Sequence, residues 1–488
     1  MTVPSTILPI PVIGWALSIG AAADLLFRGS GGLGPNAVIV VALLVASAAH
    51  LSRGLPTTLP DRWLLTALGF ALCLMWRDAE LVRTLDALAI AAALSLTSLA
   101  QRVAPWRGLL RDYAATAARS LGHAAGGAAL LVTTDGALRP LDGRRIAGAG
   151  PALAGLAIAL PVVAVFAGLF ASADPVFERF LQQLTSWNPG PLASHAATIA
   201  LVAWLGAGLL RGWLAEPVLR FHPQRQERPV LSPVTVGIVV GSMTTVFVLF
   251  IASQSRQLFG GATLIEATAG LTYAEHARRG FFELVAASGL AIQVLMAADT
   301  ALAGAGARAR ANFRALGSLQ LILIALVMTS AFHRVGLYIS MYGLTVDRLA
   351  GMAILVWLAV VTGWFALTVL RGRPERFTFG AAVSGFAVLG ALNAVNPEAL
   401  IARVNTRAAP GRAVDYEYLL ELSGDAVPAL IASLAERPPG ERCEIAGRLR
   451  RRWVGKQQEW RNWNRGHAAA LREARALTAT ASSGCPPS

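Results

Sequence analysis

The chain has 488 residues, of which 55% are hydrophobic and only 14% charged, with a mean hydropathy of +0.55. A soluble domain carries charge on about a quarter of its residues, so this composition excludes a soluble globular protein and implies one that lives in a bilayer. The net charge of +14 does not point to nucleic acid, because the cations are spread through short loops between apolar runs, where they set topology and meet anionic lipid headgroups.

Apolar runs of about 20 residues, enough to cross ~30 Å of hydrocarbon as helix, recur along the chain without the alternation of a membrane β-barrel. The predicted fold class is all-α: a polytopic integral membrane helical bundle of about 11 spans with a small extracytoplasmic C-terminal helical domain. The start, MTVPSTILPIPVIGW, has no positive n-region and no clean cleavage site, so it reads as an uncleaved first span. Spans are predicted over 7–27, 35–52, 63–76 and 85–100, a four-span N-terminal region (1–100). Residues 101–148 read as a cytoplasmic loop or interfacial segment. Within it, 112–132 is either an interfacial helix or a twelfth span, since Arg119 and His123 are costly at mid-bilayer. A seven-span core (149–395) follows, with spans over 149–172, 196–215, 234–253, 280–300, 315–339, 351–370 and 377–395. Gly237 and Gly241 form a GxxxG pair that predicts a close helix contact.

Loops on one side of this arrangement hold 18 arginines against 9 on the other. Arginine accumulates on the cytoplasmic side, which puts the protein in the inner membrane with its N-terminus inside and its tail, 396–488, outside. Two segments on the outer side begin with an N-cap residue followed by proline, Asp174-Pro175 and Asn396-Pro397, and each starts a short amphipathic helix. The tail continues with helical pieces at 415–422, 426–436 and 441–475.

The densest charge lies at the mouth of the 280–300 span. On a helix, Glu275, Arg279 and Glu283 are successive i, i+4 neighbours, so one arginine is flanked by two carboxylates, with His276 alongside. The ladder reads either as an anchoring set of ion pairs or as a polar site facing an outward cavity. His333, Arg334 and Tyr338 at the end of the next span, Asp347 and Arg348 after it, and Asn396 and Glu398 after the last span fall on the same predicted side. Together they make the candidate polar site, because ionisable groups within membrane segments are default site candidates. No HExxH, GxSxG, Walker or CxxC motif occurs and the seven histidines are scattered, so neither cofactor nor metal is predicted. Of the three cysteines, Cys443 and Cys485 lie in the tail, where an oxidising exterior would permit a disulfide between them; two free thiols are the alternative.

Four segments, YAEHARRGFFEL, LYISMYGLTVDRL, NPEALIARVN and DYEYLLELSGDAVPAL, with ADPVFERFL before them, resemble bacterial multi-pass membrane proteins of the domain-of-unknown-function families 4153 and 4173. The resemblance covers about residues 145–435 and implies architecture, with no activity to transfer. Three function classes stay open: a non-enzymatic envelope or regulatory protein, a transporter of a small or lipidic substrate, and a membrane enzyme acting on a lipid-linked substrate at the outer face. In the last, Glu275 or Glu283 would serve as base and Arg279 or Arg334 would hold a phosphate.

Overall fold

The computed structural model describes residues 9–53, 61–102, 104–133, 163, 170, 174–185, 191–214, 231–259, 281–407 and 414–480. All regular structure among them is helical, as hydrocarbon demands: without water to bond to, backbone N–H and C=O groups must pair within their own segment. The helices are α1 (Pro9–Phe27), α2 (Pro35–Ser52), α3 (Asp61–Trp76), α4 (Glu80–Arg102), α5 (Leu110–Thr133), α6 (Pro175–Thr185), α7 (Pro191–Leu214), α8 (Pro233–Phe259), α9 (Phe281–Ala301), α10 (Ala307–Tyr342), α11 (Val346–Thr368) and α12 (Phe377–Val395). Beyond the bundle come α13 (Pro397–Thr406), α14 (Tyr416–Glu421), α15 (Val427–Ser433), α16 (Pro439–Trp453) and α17 (Arg465–Thr480). Nine of the described helices are long and apolar enough to cross a membrane, and α3 is a shorter apolar helix. The protein is a multi-pass membrane protein. The predicted span at 149–172 lies almost wholly outside the described residues.

The helices of the bundle pack in two groups. One comprises α1 to α5 with α7, around a core that includes Leu64, Leu131, Leu210 and Trp213. The other comprises α8 to α12, around Leu295, Ile324, Leu355 and Phe365. A seam of α3 and α4 against α12 joins them, with Trp63, Phe70 and Leu96 meeting Phe379 and Phe386. α7, though late in sequence, packs on α1 and α5. Glycine permits this: a Cβ on Gly208 would sit 2.1 Å from the carbonyl oxygen of His123 on α5, so only a bare backbone fits there. α5 therefore lies against the spans α4 and α7. The contact predicted at Gly237 and Gly241 is not seen, since among the described residues nothing comes within 4 Å of a Cβ placed on either. Small residues allow close approach but do not compel it.

One end of the bundle carries the turns at 104–109, 302–306 and 369–376, all walling one small cavity, and we call it the arginine end. At the other end, the turns at 28–34, 77–79, 343–345 and 396 meet α13 to α17, which form a small domain with its own core around Ile401, Leu419, Leu430, Leu449 and Trp453. The predicted single helix at 441–475 is two helices. α16 stops at Val454 before Gly455, and α17 restarts at Asn464, whose side-chain oxygen accepts from the His467 N–H at 3.1 Å, a local N-cap that overrides helix continuation. Both predicted Asx-Pro starts are present. Asp174 accepts from Val176 N–H at 2.7 Å, and Asn396 accepts from Ala399 N–H at 3.2 Å.

Candidate functional site

Of the predicted polar site, Glu275, His276 and Arg279 lie outside the described residues. Glu283 is exposed in the first turn of α9, His333 is exposed on α10 and Arg334 is half-buried beside it. Arg348 stacks on the Tyr338 ring at 4.0 Å and donates to the Gly343 carbonyl, closing the α10–α11 turn, while Asp347 is exposed in the first turn of α11. These contacts build a turn. Cys443 is disulfide-bonded and Cys73 is a free thiol; Cys485 lies outside the described residues.

Two predicted residues lead elsewhere. Asn396 has left-handed backbone geometry, φ 58°, and serves at once as C-cap of α12 and N-cap of α13. That tight reversal, with Pro397 supplying the first helical φ, turns Glu398 back under the C-terminal domain. Glu398 is buried and accepts from the Ser423 N–H at 2.6 Å and from the Ser423 hydroxyl. Burial pushes its carboxyl above the ordinary range, and the two Ser423 hydrogen bonds only partly offset that.

Around Glu398 the domain is held to the bundle by helices that cap one another. Every helix leaves four N–H and four C=O groups without partners at its ends, and here the partners come from other helices, most of them across the domain boundary. Arg77, after α3, donates from Nε to the Asn393 carbonyl at 2.5 Å and from Nη2 to that of Ala394 at 3.3 Å, covering the end of α12. Asp425 accepts from the N–H groups of Asp78 at 2.6 Å and Ala79 at 3.0 Å, at the start of α4. Asp78 in turn accepts from Gly424 N–H at 2.9 Å, ahead of α15. Asn464 covers the end of α3 through the carbonyls of Leu74 and Arg77 while capping α17. Arg461 does the same for α1, donating to the carbonyls of Leu25 and Arg28 at 3.0 Å each.

The charges are arranged to match. Burial holds Asp425 above the ordinary carboxylate range, against the pull of its backbone hydrogen bonds and of Arg77 at 3.8 Å. Asp78 is also desolvated, yet the His467 ring, the Gly424 N–H and Arg83 outweigh that and hold it below the ordinary range. Burial lowers Arg77. None of these groups belongs to the predicted site except Glu398. The signals for the rest were acidic and basic residues in the short turn WRDAE (76–80) and the helix break at SGD (423–425).

Below this junction, toward mid-bundle, α4, α11 and α12 leave a groove of about 350 Å³. Its walls are almost wholly apolar, among them Val82, Leu85, Ala353, Ile354 and Leu389, and Glu398 lines it as well. Trp357 lines it too and ties α11 to α12 by donating to the Ala381 carbonyl at 3.1 Å. Glu398 is thus shared by the groove and the domain contact. Among the described residues no cluster of three or more possible metal ligands occurs.

Comparison with curated proteins and with solved structures brings no match. A family model described as "Domain of unknown function (DUF4153)" matches residues 64–433, from α3 through α15. That segment holds the groove, Glu398 and both partners of the Asp78–Asp425 contact, and it spans more than half of the chain, which therefore belongs to the DUF4153 family.

Proposed function

We propose that this is a non-enzymatic membrane protein of the bacterial envelope that takes a lipid acyl chain into the groove between α4, α11 and α12 and passes its occupancy to the C-terminal domain. The observation that carries the reading is the double placement of Glu398, which lines the groove and accepts two hydrogen bonds from Ser423. From Val346 to Trp357 the groove follows twelve residues of α11, about 16 Å at the helical rise. That is roughly half of the ~30 Å hydrocarbon thickness, the depth of one leaflet. An apolar cavity of this kind does not retain water, and left empty its walls forgo dispersion contacts. A chain from the adjoining leaflet supplies them.

Orientation in the inner membrane, with the N-terminus cytoplasmic and the domain outside, is part of the proposal. Arg107, Arg111, Arg308, Arg310, Arg314, Arg371, Arg373 and Arg376 all fall in or beside the turns of the arginine end, which suits the cytoplasmic side. A disulfide-bonded Cys443 in the domain suits an oxidising exterior.

The test is lipid co-purification with Ala350→Phe/Ala353→Phe, which fills the groove. Native mass spectrometry should find tightly held lipid on the wild-type protein and little on the variant, and protease release of the domain should change with it. Wild-type protein that holds no lipid, or a variant that holds as much, overturns the reading. The lateral groove also favours a second reading, transport of a lipidic substrate, which movement of a labelled lipid between leaflets of proteoliposomes would establish. A groove only one leaflet deep favours holding a chain over passing it.

A further inference from the structure

At the opposite end of the bundle, independent of the groove, we infer a binding site for a phosphate group in the cavity walled by Arg111, Arg310 and Arg314. The three side chains come from two elements that the fold brings together. Arg310 and Arg314 are i, i+4 neighbours on the first turns of α10 and so share a face, and Arg111 faces them from the start of α5. Arg310 is held in place by its Nε–H donating to the Ala305 carbonyl at 3.2 Å. Arg314 lies against the turn after α11, where Gly372 has φ +77° and a Cβ would fall 3.4 Å from its Nη2.

The acids nearby do not cancel this charge. Asp299 lines the cavity, and Asp112 lies 3.9 Å from Arg111 while accepting from the Leu109 N–H. Arg111, Arg310 and Arg314 therefore line the cavity beside two acids, and in the adjoining turn Arg371, Arg373 and Arg376 outnumber Glu375. The apolar part of the wall is buried, with Val369 2%, Leu302 5% and Phe313 6% exposed, while Arg310 is half-buried and Arg111 and Arg314 reach solvent at the rim.

The chemistry that fits is a tetrahedral oxyanion. Guanidinium forks pair with phosphate through paired N–H groups, which an ammonium cannot do. A cavity of about 60 Å³ suits a group the size of one phosphoryl, with whatever is attached to it left outside. Basic pockets between spans on the cytoplasmic side take anionic headgroups, and the same cavity would accept soluble phosphate, so the phosphate is assigned and its source is what the experiment separates.

The test uses the full chain purified in neutral detergent. Inorganic phosphate is titrated by phosphorus resonance, and the lipid held after transfer to nanodiscs of equal phosphatidylglycerol and phosphatidylcholine is quantified. The wild-type protein should bind phosphate, enrich phosphatidylglycerol, or do both. Enrichment that added phosphate competes away identifies a lipid headgroup as the source, and phosphate binding without enrichment identifies the soluble ion. Arg310→Gln/Arg314→Gln should weaken phosphate binding at least tenfold and abolish the enrichment, with the chain held in the α4–α11–α12 groove unchanged. Wild-type protein that neither binds inorganic phosphate nor prefers phosphatidylglycerol overturns the assignment without any variant. So does a folded double variant that keeps both properties. Arg314→Lys, which keeps the charge and loses the fork, should fall between wild type and the double variant.

Discussion

Asp78 and Asp425 exchange hydrogen bonds across the domain junction. The backbone N–H of Asp78 donates to the Asp425 carboxylate at 2.6 Å, and the Asp78 carboxylate accepts from the N–H of Gly424, the neighbour of Asp425, at 2.9 Å. Each residue closes the other's helix start, so neither helix end is complete without its partner. Removing one acceptor leaves donors buried without a substitute.

Asp425→Ala should therefore cost about 3 kcal/mol, the desolvation of two stranded N–H groups, whereas Asp425→Asn, which keeps an acceptor oxygen, should cost less than half of that. Gly466→Ala should act in the same direction, since its Cβ would lie 2.4 Å from an Asp425 carboxylate oxygen. Thermal unfolding in detergent and the rate of protease release of residues 397–480 report both effects. Equal losses for the Ala and Asn variants would show that the acceptor role of Asp425 is not what holds the domain.

The same junction sets a pH dependence with a definite sign. The folded-state pKa values of Asp425 and Glu398 are raised, above all by burial. Folding therefore favours their protonated forms, and the stability this adds is lost as pH rises through those raised values. For Asp78 the folded-state value is lowered, so its contribution is present above its unfolded pKa and is lost as pH falls through the folded one. The basic side chains facing them are Arg77, Arg83 and His467. Docking should therefore be tightest near the ordinary carboxylate range, about pH 4, and should loosen as pH rises from there. Protease release of the domain followed from about pH 8 to pH 4 should slow on acidification, and a rate that rises steadily over that range contradicts the assignment.

How much of this was legible in the sequence depends on how far apart the partners lie. Helix positions followed from the length of apolar runs, and Asn396-Pro397 announced its turn because capping chemistry is local. Glu398 was visible as a polar residue after the last span, but its partner Ser423 lies 25 positions on, and Asp78 meets Gly424 across 346. No periodicity encodes such a pairing. The groove was hidden for the same reason, since α4 and α11 are apolar runs like any other until the fold sets them beside α12. The ladder of Glu275, Arg279 and Glu283 remains a proposal, because only Glu283 lies among the described residues.

Gln320 offers a test of the bundle interior. It is fully buried within the spanning helix α10, and neither its amide nitrogen nor its oxygen has a hydrogen-bond partner among the described residues. A buried amide without partners costs about 1–3 kcal/mol, and replacing it with an apolar group of similar shape removes that cost. Gln320→Leu should raise the thermal unfolding temperature in detergent. A lowered temperature would mean that the amide is bound to something in the native membrane, such as an ordered water.

The last prediction joins the thiols to the topology. Cys443, on α16, is disulfide-bonded, while Cys73, in α3, is free and half-buried. We expect Cys485 to be the partner of Cys443, which requires that the domain mature in an oxidising compartment, since cytosolic thiols are kept reduced. Protein isolated without reductant and unfolded in the presence of a thiol reagent should take up one label per chain, at Cys73, and three after reduction. Cys443→Ser should free Cys485 and raise the unreduced count to two before Cys73 is counted out by Cys73→Ser, which should return it to one. Three labels on unreduced wild-type protein would mean that no bridge forms and would remove the support that Cys443 lends to an external domain, leaving orientation to the loop arginines alone.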